Sequence, residues 1–114
     1  MSKTIFEKIL DKEIPAELVH EDDFTVAFKD VAPQAPVHVL VIPRKKLVNV
    51  ASSSPGDIET LGHVLNAARI VAEKMGIAES GYRLVLNNNR DGGQSVDYLH
   101  CHVIGGRALA WPPG

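Results

Sequence analysis

Two imidazoles stand one residue apart at His100 and His102, inside the apolar run SVDYLHCHVIGGR that follows a glycine-bearing polar loop and closes on Gly105-Gly106. Alternate side chains of a strand share a face, so Tyr98, His100, His102 and Ile104 point one way and Leu99, Cys101 and Val103 the other. The second set reads as core. The first lies beside NNNRDGGQS, whose glycines can turn several backbone N–H groups toward one point and so favour an anion such as phosphate. A neutral imidazole keeps a nitrogen lone pair that attacks phosphorus near neutral pH while its other nitrogen donates to a carbonyl. A second histidine can carry phosphate charge or move protons. Spacing alone leaves three readings open: phosphoryl chemistry, a metal such as zinc with His38 as third ligand, or histidines simply satisfied at a sheet surface.

The elements that must position these groups follow from local patterns. Thr4 and Glu7 have capping-box spacing, and Ile5, Phe6, Ile9 and Leu10 form one apolar face of a short helix ending before Pro15. Leu18 to His20 and Phe24 to Lys29 are β-prone runs joined by the polar turn Glu21-Asp22-Asp23. VHVLVIP, from Val37 to Pro43, is apolar on both faces except at His38, as a central strand would be. Ser54-Pro55-Gly56-Asp57 reads as a helix start, and Ile58, Leu61, Leu65, Ala68, Ala72 and Met75 then form one stripe that Gly76 ends. Tyr82 to Leu86 and Leu99 to Ile104 are two further strands, separated by the polar loop from Asn87 to Ser95. The expected fold is α+β: a mainly antiparallel sheet of about five strands with one long and one short helix, in a single domain spanning residues 1–114.

Composition narrows the setting. The chain has 114 residues, 45% of them apolar, which is enough for one core without disulfides, and its single cysteine, Cys101, cannot form an internal bridge. No apolar run approaches the roughly 20 residues of a membrane span, and the start, MSKTIFEKIL, lacks the order of a secretion signal. A cytoplasmic location is expected, the nucleus being also open to it. Net charge is −2 and the one basic cluster, Arg44-Lys45-Lys46, has no interleaved aromatics, so general nucleic-acid binding is disfavoured while a small phosphate ligand is not.

DGGQSVDYLHCHVIGGR followed by WPPG, together with TIFEKIL, KEIPA, AFKD and APQAPVHVLVIP, resembles the histidine triad (HIT) superfamily, over nearly the whole chain. Within it the likeness is to the histidine triad nucleotide-binding branch, the purine nucleoside phosphoramidases. The family motif is His-φ-His-φ-His-φ-φ, with φ apolar; His102 takes the third histidine position, His100 the middle one, and Tyr98 stands where the first should be. The resemblance implies that His100 takes up the nucleotidyl group with release of an amine, that His102 stabilises the phosphate oxygens, and that water completes the hydrolysis without metal or other cofactor. It further assigns Ser95 to the leaving amine, the backbone of Gly93 and Gln94 to the phosphate, and His38 to the neighbourhood of the triad. Ile5, Phe6, Ile9, Phe28 and Val31 match residues that sandwich the purine, Asp30 the carboxylate for the ribose hydroxyls, and Asn87 a sugar and phosphate contact. It also implies a two-fold homodimer with joined sheets, the Trp111 segment of one subunit reaching toward its partner's site. Two other functions stay open: a dinucleoside polyphosphate hydrolase, and a nucleotide-binding scaffold module whose chemistry Tyr98 has weakened.

Overall fold

A computed structural model describes residues 2–114. The elements run α1 (Ile5–Leu10), β1 (Leu18–Glu21), β2 (Thr25–Lys29), β3 (Val37–Pro43), a 3-10 turn (Pro55–Asp57), α2 (Ile58–Lys74), β4 (Tyr82–Val85), α3 (Asn89–Gly92) and β5 (Cys101–Gly105). They build an α+β fold around one five-stranded antiparallel sheet, ordered β1-β2-β3-β5-β4. The capping box is present: the Glu7 N–H donates to Thr4 Oγ1, and the Thr4 N–H donates to the Glu7 carboxylate.

Strand β3 lies at the centre of the sheet and all of its residues are buried, which accounts for an apolar run on both faces. One face carries Ala27, Val39, Val41, Cys101 and Val103 and is covered by Val64, Ala68 and Val71 of α2. The opposite face carries Val26, Phe28, Leu40, Ile42 and Tyr98 and is met by Phe6 of α1. The two helices differ in reach. With 17 residues α2 is about 25 Å long, whereas the six residues of α1 span about 9 Å. Five strands measure roughly 19 Å across, so α1 leaves much of its face open.

Four expectations are corrected. The stripe on α2 is rotated: Val64, Ala67, Ala68, Val71 and Ala72 are buried, whereas Ile58 and Leu65 are 68% and 48% exposed. Periodicity locates apolar rows but cannot say which row the sheet takes. The last strand begins at Cys101, not Leu99, because Leu99 donates its N–H to Leu47 O, outside the sheet ladder. Phe24 falls in the turn before β2, where its ring stacks on His63. The polar loop after β4 contains a helical turn, α3, so there are three helices and a 3-10 turn rather than two helices. Alternation across Tyr98 to Val103 nonetheless holds, with Tyr98 in one cluster and Leu99, Cys101 and Val103 in the other.

Ile42 is wholly buried beneath the open face. Replacing it with alanine is expected to lower the unfolding free energy by about 2–5 kcal/mol in urea titrations, with little change in the slope on denaturant.

Candidate active site

Pairing of β3 with β5 sets Leu40 opposite His102 and His38 opposite Ile104, so residues 64 apart in sequence meet on one face. Backbone groups then dictate which ring nitrogens carry protons. The Gln34 N–H donates to His38 Nδ1 over 3.0 Å, so neutral His38 has its proton on Nε2. That proton is directed at His102 Nδ1, 2.8 Å away, which leaves the His102 proton on Nε2. His102 Nε2 is buried and has no partner among the described residues. His100 Nδ1 lies 2.7 Å from the Tyr98 carbonyl oxygen, which can only accept, so His100 Nε2 keeps its lone pair. The face thus offers one nucleophilic nitrogen beside one N–H donor, with the two rings 4.9 Å apart.

Burial keeps both rings neutral. It pushes the His100 pKa below the ordinary imidazole value, against the opposing pull of the Tyr98 carbonyl and the Asp30 charge. His102 is held at about 4, first by burial and then by His100 and His38, with Asp30 opposing. The Cys101 thiol is pushed by burial up to about 12, so it behaves as a small apolar core residue rather than a nucleophile.

Beside the imidazoles lies a cavity of about 470 Å³ whose lining is chiefly apolar. It brings together Ile5, Phe6, Ile9, Phe28, Asp30, Val31, Ser95, His100 and His102, all chosen from the sequence. Phe6 packs edge-on to Phe28 and to the His100 ring, at 5.5 and 4.9 Å between centroids, so α1 shapes the cavity and braces the His100 ring together. Val31 is almost fully exposed at the rim. His38 stands behind His102, outside the lining. Asn87 lies two residues beyond the end of β4, where the ladder with β5 has stopped, and it is not among the residues that line the cavity.

Several site expectations change. The backbone N–H groups of Gly93 and Gln94 are not turned toward an anion: they donate to Arg90 O and Asn89 O and close α3. Asp30 has a structural role that the sequence did not reveal, accepting from the Ala32 N–H at 2.8 Å, with its other oxygen 3.4 Å from His38 Nε2. The Tyr98 hydroxyl points away from the imidazoles, donating to the carbonyls of Pro43 and Arg44, and burial pushes its pKa up to about 12. Among the described residues no three-histidine metal set is formed: the donors that cluster, within 4.8 Å of one another, are Asp30, His38 and His102, without His100. Each residue of the basic cluster meets an acid, Arg44 with Glu21, Lys45 with Asp57 and Lys46 with Glu7.

Sequence reasoning also missed lining residues. Leu40 could have been found by alternation from His38, whereas Ile14, Pro15, Ala16, Glu17 and Val96 lie in irregular segments with no period to read. Lys29 joins them at the rim, paired with Glu17.

A short-helix α+β sheet with paired imidazoles beside an apolar cavity defines a class of small ligand-binding folds, and comparison with known proteins makes it specific. The HIT domain family model matches residues 11–109. The chain belongs to the HIT domain family. A HIT family hydrolase from Legionella pneumophila Philadelphia 1 superposes with a TM-score of 0.95 at 45% identity, over 98% of this chain and 100% of that one. A histidine triad nucleotide-binding protein from Candida albicans superposes with a TM-score of 0.82 at 28% identity, over 96% of this chain and 83% of that one. A 14 kDa zinc-binding protein of Zea mays is 48% identical over 115 aligned residues, 99% of this chain and 89% of that protein.

The lowered imidazole pKa values predict a pH dependence. Between about 4 and the ordinary value near 6.5 the unfolded chain binds more protons than the fold, so stability is complete above about 6.5 and falls as pH drops toward 4. Denaturant midpoints measured from pH 7.5 to 4.5 are expected to decline, with a shallower decline in a His102→Asn variant.

Proposed function

We propose that the protein is a purine nucleoside phosphoramidase, hydrolysing the P–N bond of adenosine or guanosine 5'-phosphoramidates through a nucleotidyl-His100 intermediate. The observation that carries this reading is the proton order of the three rings. It runs from the Gln34 N–H through His38 to the unpartnered Nε2–H of His102, a residue of the cavity lining, beside the bare lone pair of His100.

In the first step His100 Nε2 bonds to phosphorus and the bond from phosphorus to nitrogen breaks. The leaving nitrogen takes a proton from solvent, relayed by the Ser95 hydroxyl at the cavity wall. The His100 ring becomes cationic, and its Nδ1–H bond to the Tyr98 carbonyl strengthens as that charge develops. His102 Nε2–H donates to a phosphate oxygen throughout. Water then bonds to phosphorus, the Nε2–P bond breaks, and the water's proton returns to solvent, leaving His100 neutral. Phe6, Phe28, Ile5, Ile9 and Val31 hold the purine, Asp30 receives the ribose hydroxyls, and Asn87 contacts the sugar and phosphate. Gly93 and Gln94, whose N–H groups close α3 and which lie outside the cavity lining, take no part in binding the phosphate in this reading.

Tyr98 departs from the family motif, yet this reading gives its position a purpose that any residue can serve: the carbonyl that orients His100. The weakened scaffold module is therefore the less favoured alternative. Zinc, which the maize relative's name mentions, is a second reading resting on Asp30, His38 and His102. The donor set does not suit it as arranged. His38 Nε2 and His102 Nδ1 are 2.8 Å apart with a proton between them, whereas tetrahedral zinc separates nitrogen ligands by roughly 3.3 Å.

Release of AMP from adenosine 5'-phosphoramidate is expected from the wild type, to be unaffected by chelator, and to fall at least about a thousandfold in His100→Gly. AMP binding without any turnover would favour the scaffold module, and sensitivity to chelator the zinc reading. Faster cleavage of diadenosine polyphosphates than of the phosphoramidate would favour the polyphosphate hydrolase.

We also propose a homodimer. Ile58 and Leu65 on the outer side of α2 and the 81%-exposed Trp111 leave apolar surface that a second copy would cover. Arg83 holds that tail, donating to Ala110 O at 2.9 Å with its guanidinium 6.0 Å from the Trp111 ring. Light scattering is expected to give twice the chain mass, and Leu65→Glu to shift the population toward monomer.

A further inference from the structure

Asn49, on the segment that follows β3, is a polar side chain only 4% exposed, and it lies outside the cavity lining. Its Nδ2 donates to Asn89 Oδ1 at 2.9 Å and to Gln94 Oε1 at 3.1 Å, while its Oδ1 accepts from the Ser52 N–H at 3.0 Å. The orientation of both amides is dictated by backbone. Gln94 Oε1 receives the Asn89 N–H at 2.9 Å, and Gln94 Nε2 donates to the carbonyls of Val48 and Val96 at 2.7 and 3.0 Å. Gln94 therefore turns an acceptor toward Asn49, and Asn49 answers with its two donor hydrogens.

What this clamp holds is the backbone on either side of Ser95. Gln94 precedes it, and the carbonyl that Gln94 grips belongs to Val96. Ser95 lines the cavity, yet its hydroxyl makes no hydrogen bond to the described residues, so nothing but its backbone fixes where the oxygen sits. The His100 ring is held from elsewhere, by the Tyr98 carbonyl at Nδ1 and by the edge of Phe6. These two ring contacts lie outside the clamp, although the bond from Leu99 N–H to Leu47 O reaches the same segment that carries Val48 and Asn49.

We infer that Asn49 is a positioning residue which, through the Gln94 amide, sets Ser95 for delivering a proton to the leaving nitrogen while leaving the nucleophile untouched. This role rests on the phosphoramidase reading. Asn49→Asp keeps the size and the Ser52 contact but sets a carboxylate oxygen against two acceptors, Gln94 Oε1 and Asn89 Oδ1. Displacing one reacting group by a fraction of its bond length costs rate rather than binding.

The test compares two leaving groups on the full-length protein. Cleavage of an alkylamine 5'-phosphoramidate of adenosine requires a proton on nitrogen, whereas adenosine 5'-phosphorofluoridate loses fluoride without one. In Asn49→Asp, kcat for the amine substrate is expected to fall about tenfold to a hundredfold. For the fluoridate kcat is expected to stay within about threefold, and the AMP dissociation constant within about twofold, of wild type. Gln94→Glu, which turns acceptors toward the Val48 and Val96 carbonyls, should reproduce the split and serves if the first variant does not fold. Equal loss on both substrates, or no loss on either, would overturn the clamp while leaving the phosphoramidase intact. A wild type that cleaves neither substrate, or only the fluoridate, would overturn the phosphoramidase reading and this role with it.

Discussion

Antiparallel pairing of β3 with β5 is the constraint on which the site depends. In that register Leu40 faces His102 and His38 faces Ile104, so His38 Nε2 comes within 2.8 Å of His102 Nδ1 although neither residue has any local reason to meet the other. A slip of one residue would turn His100 and His102 toward α2 and drive Cys101 and Val103 onto the open face. The cost of that exchange holds the register: Val39, Val41, Cys101 and Val103 are completely buried against α2, and no imidazole could be desolvated there without a partner.

A second constraint is the shortness of α1. A helix long enough to cover its face of the sheet would have filled the space that the cavity occupies. Six residues suffice to place Phe6 against Phe28, Tyr98 and His100 and then stop. The same contact seals the core beneath and removes water from the imidazole ring. Burial is thereby coupled to chemistry: the environment that holds His100 and His102 neutral also lowers the acid stability of the fold. Local structure at α1, packing at Phe6 and protonation at His100 are links of one chain.

Much of this was legible from residue order. The capping box at Thr4, the central strand with its lone histidine and the alternation of Tyr98 to Val103 are all short-range patterns, and all are present in the fold. Nine of the residues chosen for the site line one cavity, because family motifs carry tertiary information that propensity lacks. The illegible parts share one physical cause. Which row of α2 is buried depends on how the sheet meets it, and whether the glycines of NNNRDGGQS open a nest or close a helical turn depends on where Asn89 and Arg90 find acceptors and donors. The Asp30 carboxylate binding the Ala32 N–H, and the Tyr98 hydroxyl reaching Pro43 and Arg44, were likewise decided by neighbours that sequence distance conceals.

By itself, then, the order of residues determined the periodicities, the fold class, and the alternation that sets two imidazoles on one face, since each is a matter of spacing along an extended or helical backbone. Only the tertiary structure decided the proton order. A tautomer is chosen by the hydrogen bond that the far nitrogen makes, and those bonds come from the Gln34 N–H and the Tyr98 carbonyl, backbone groups that every residue possesses and no sequence pattern marks.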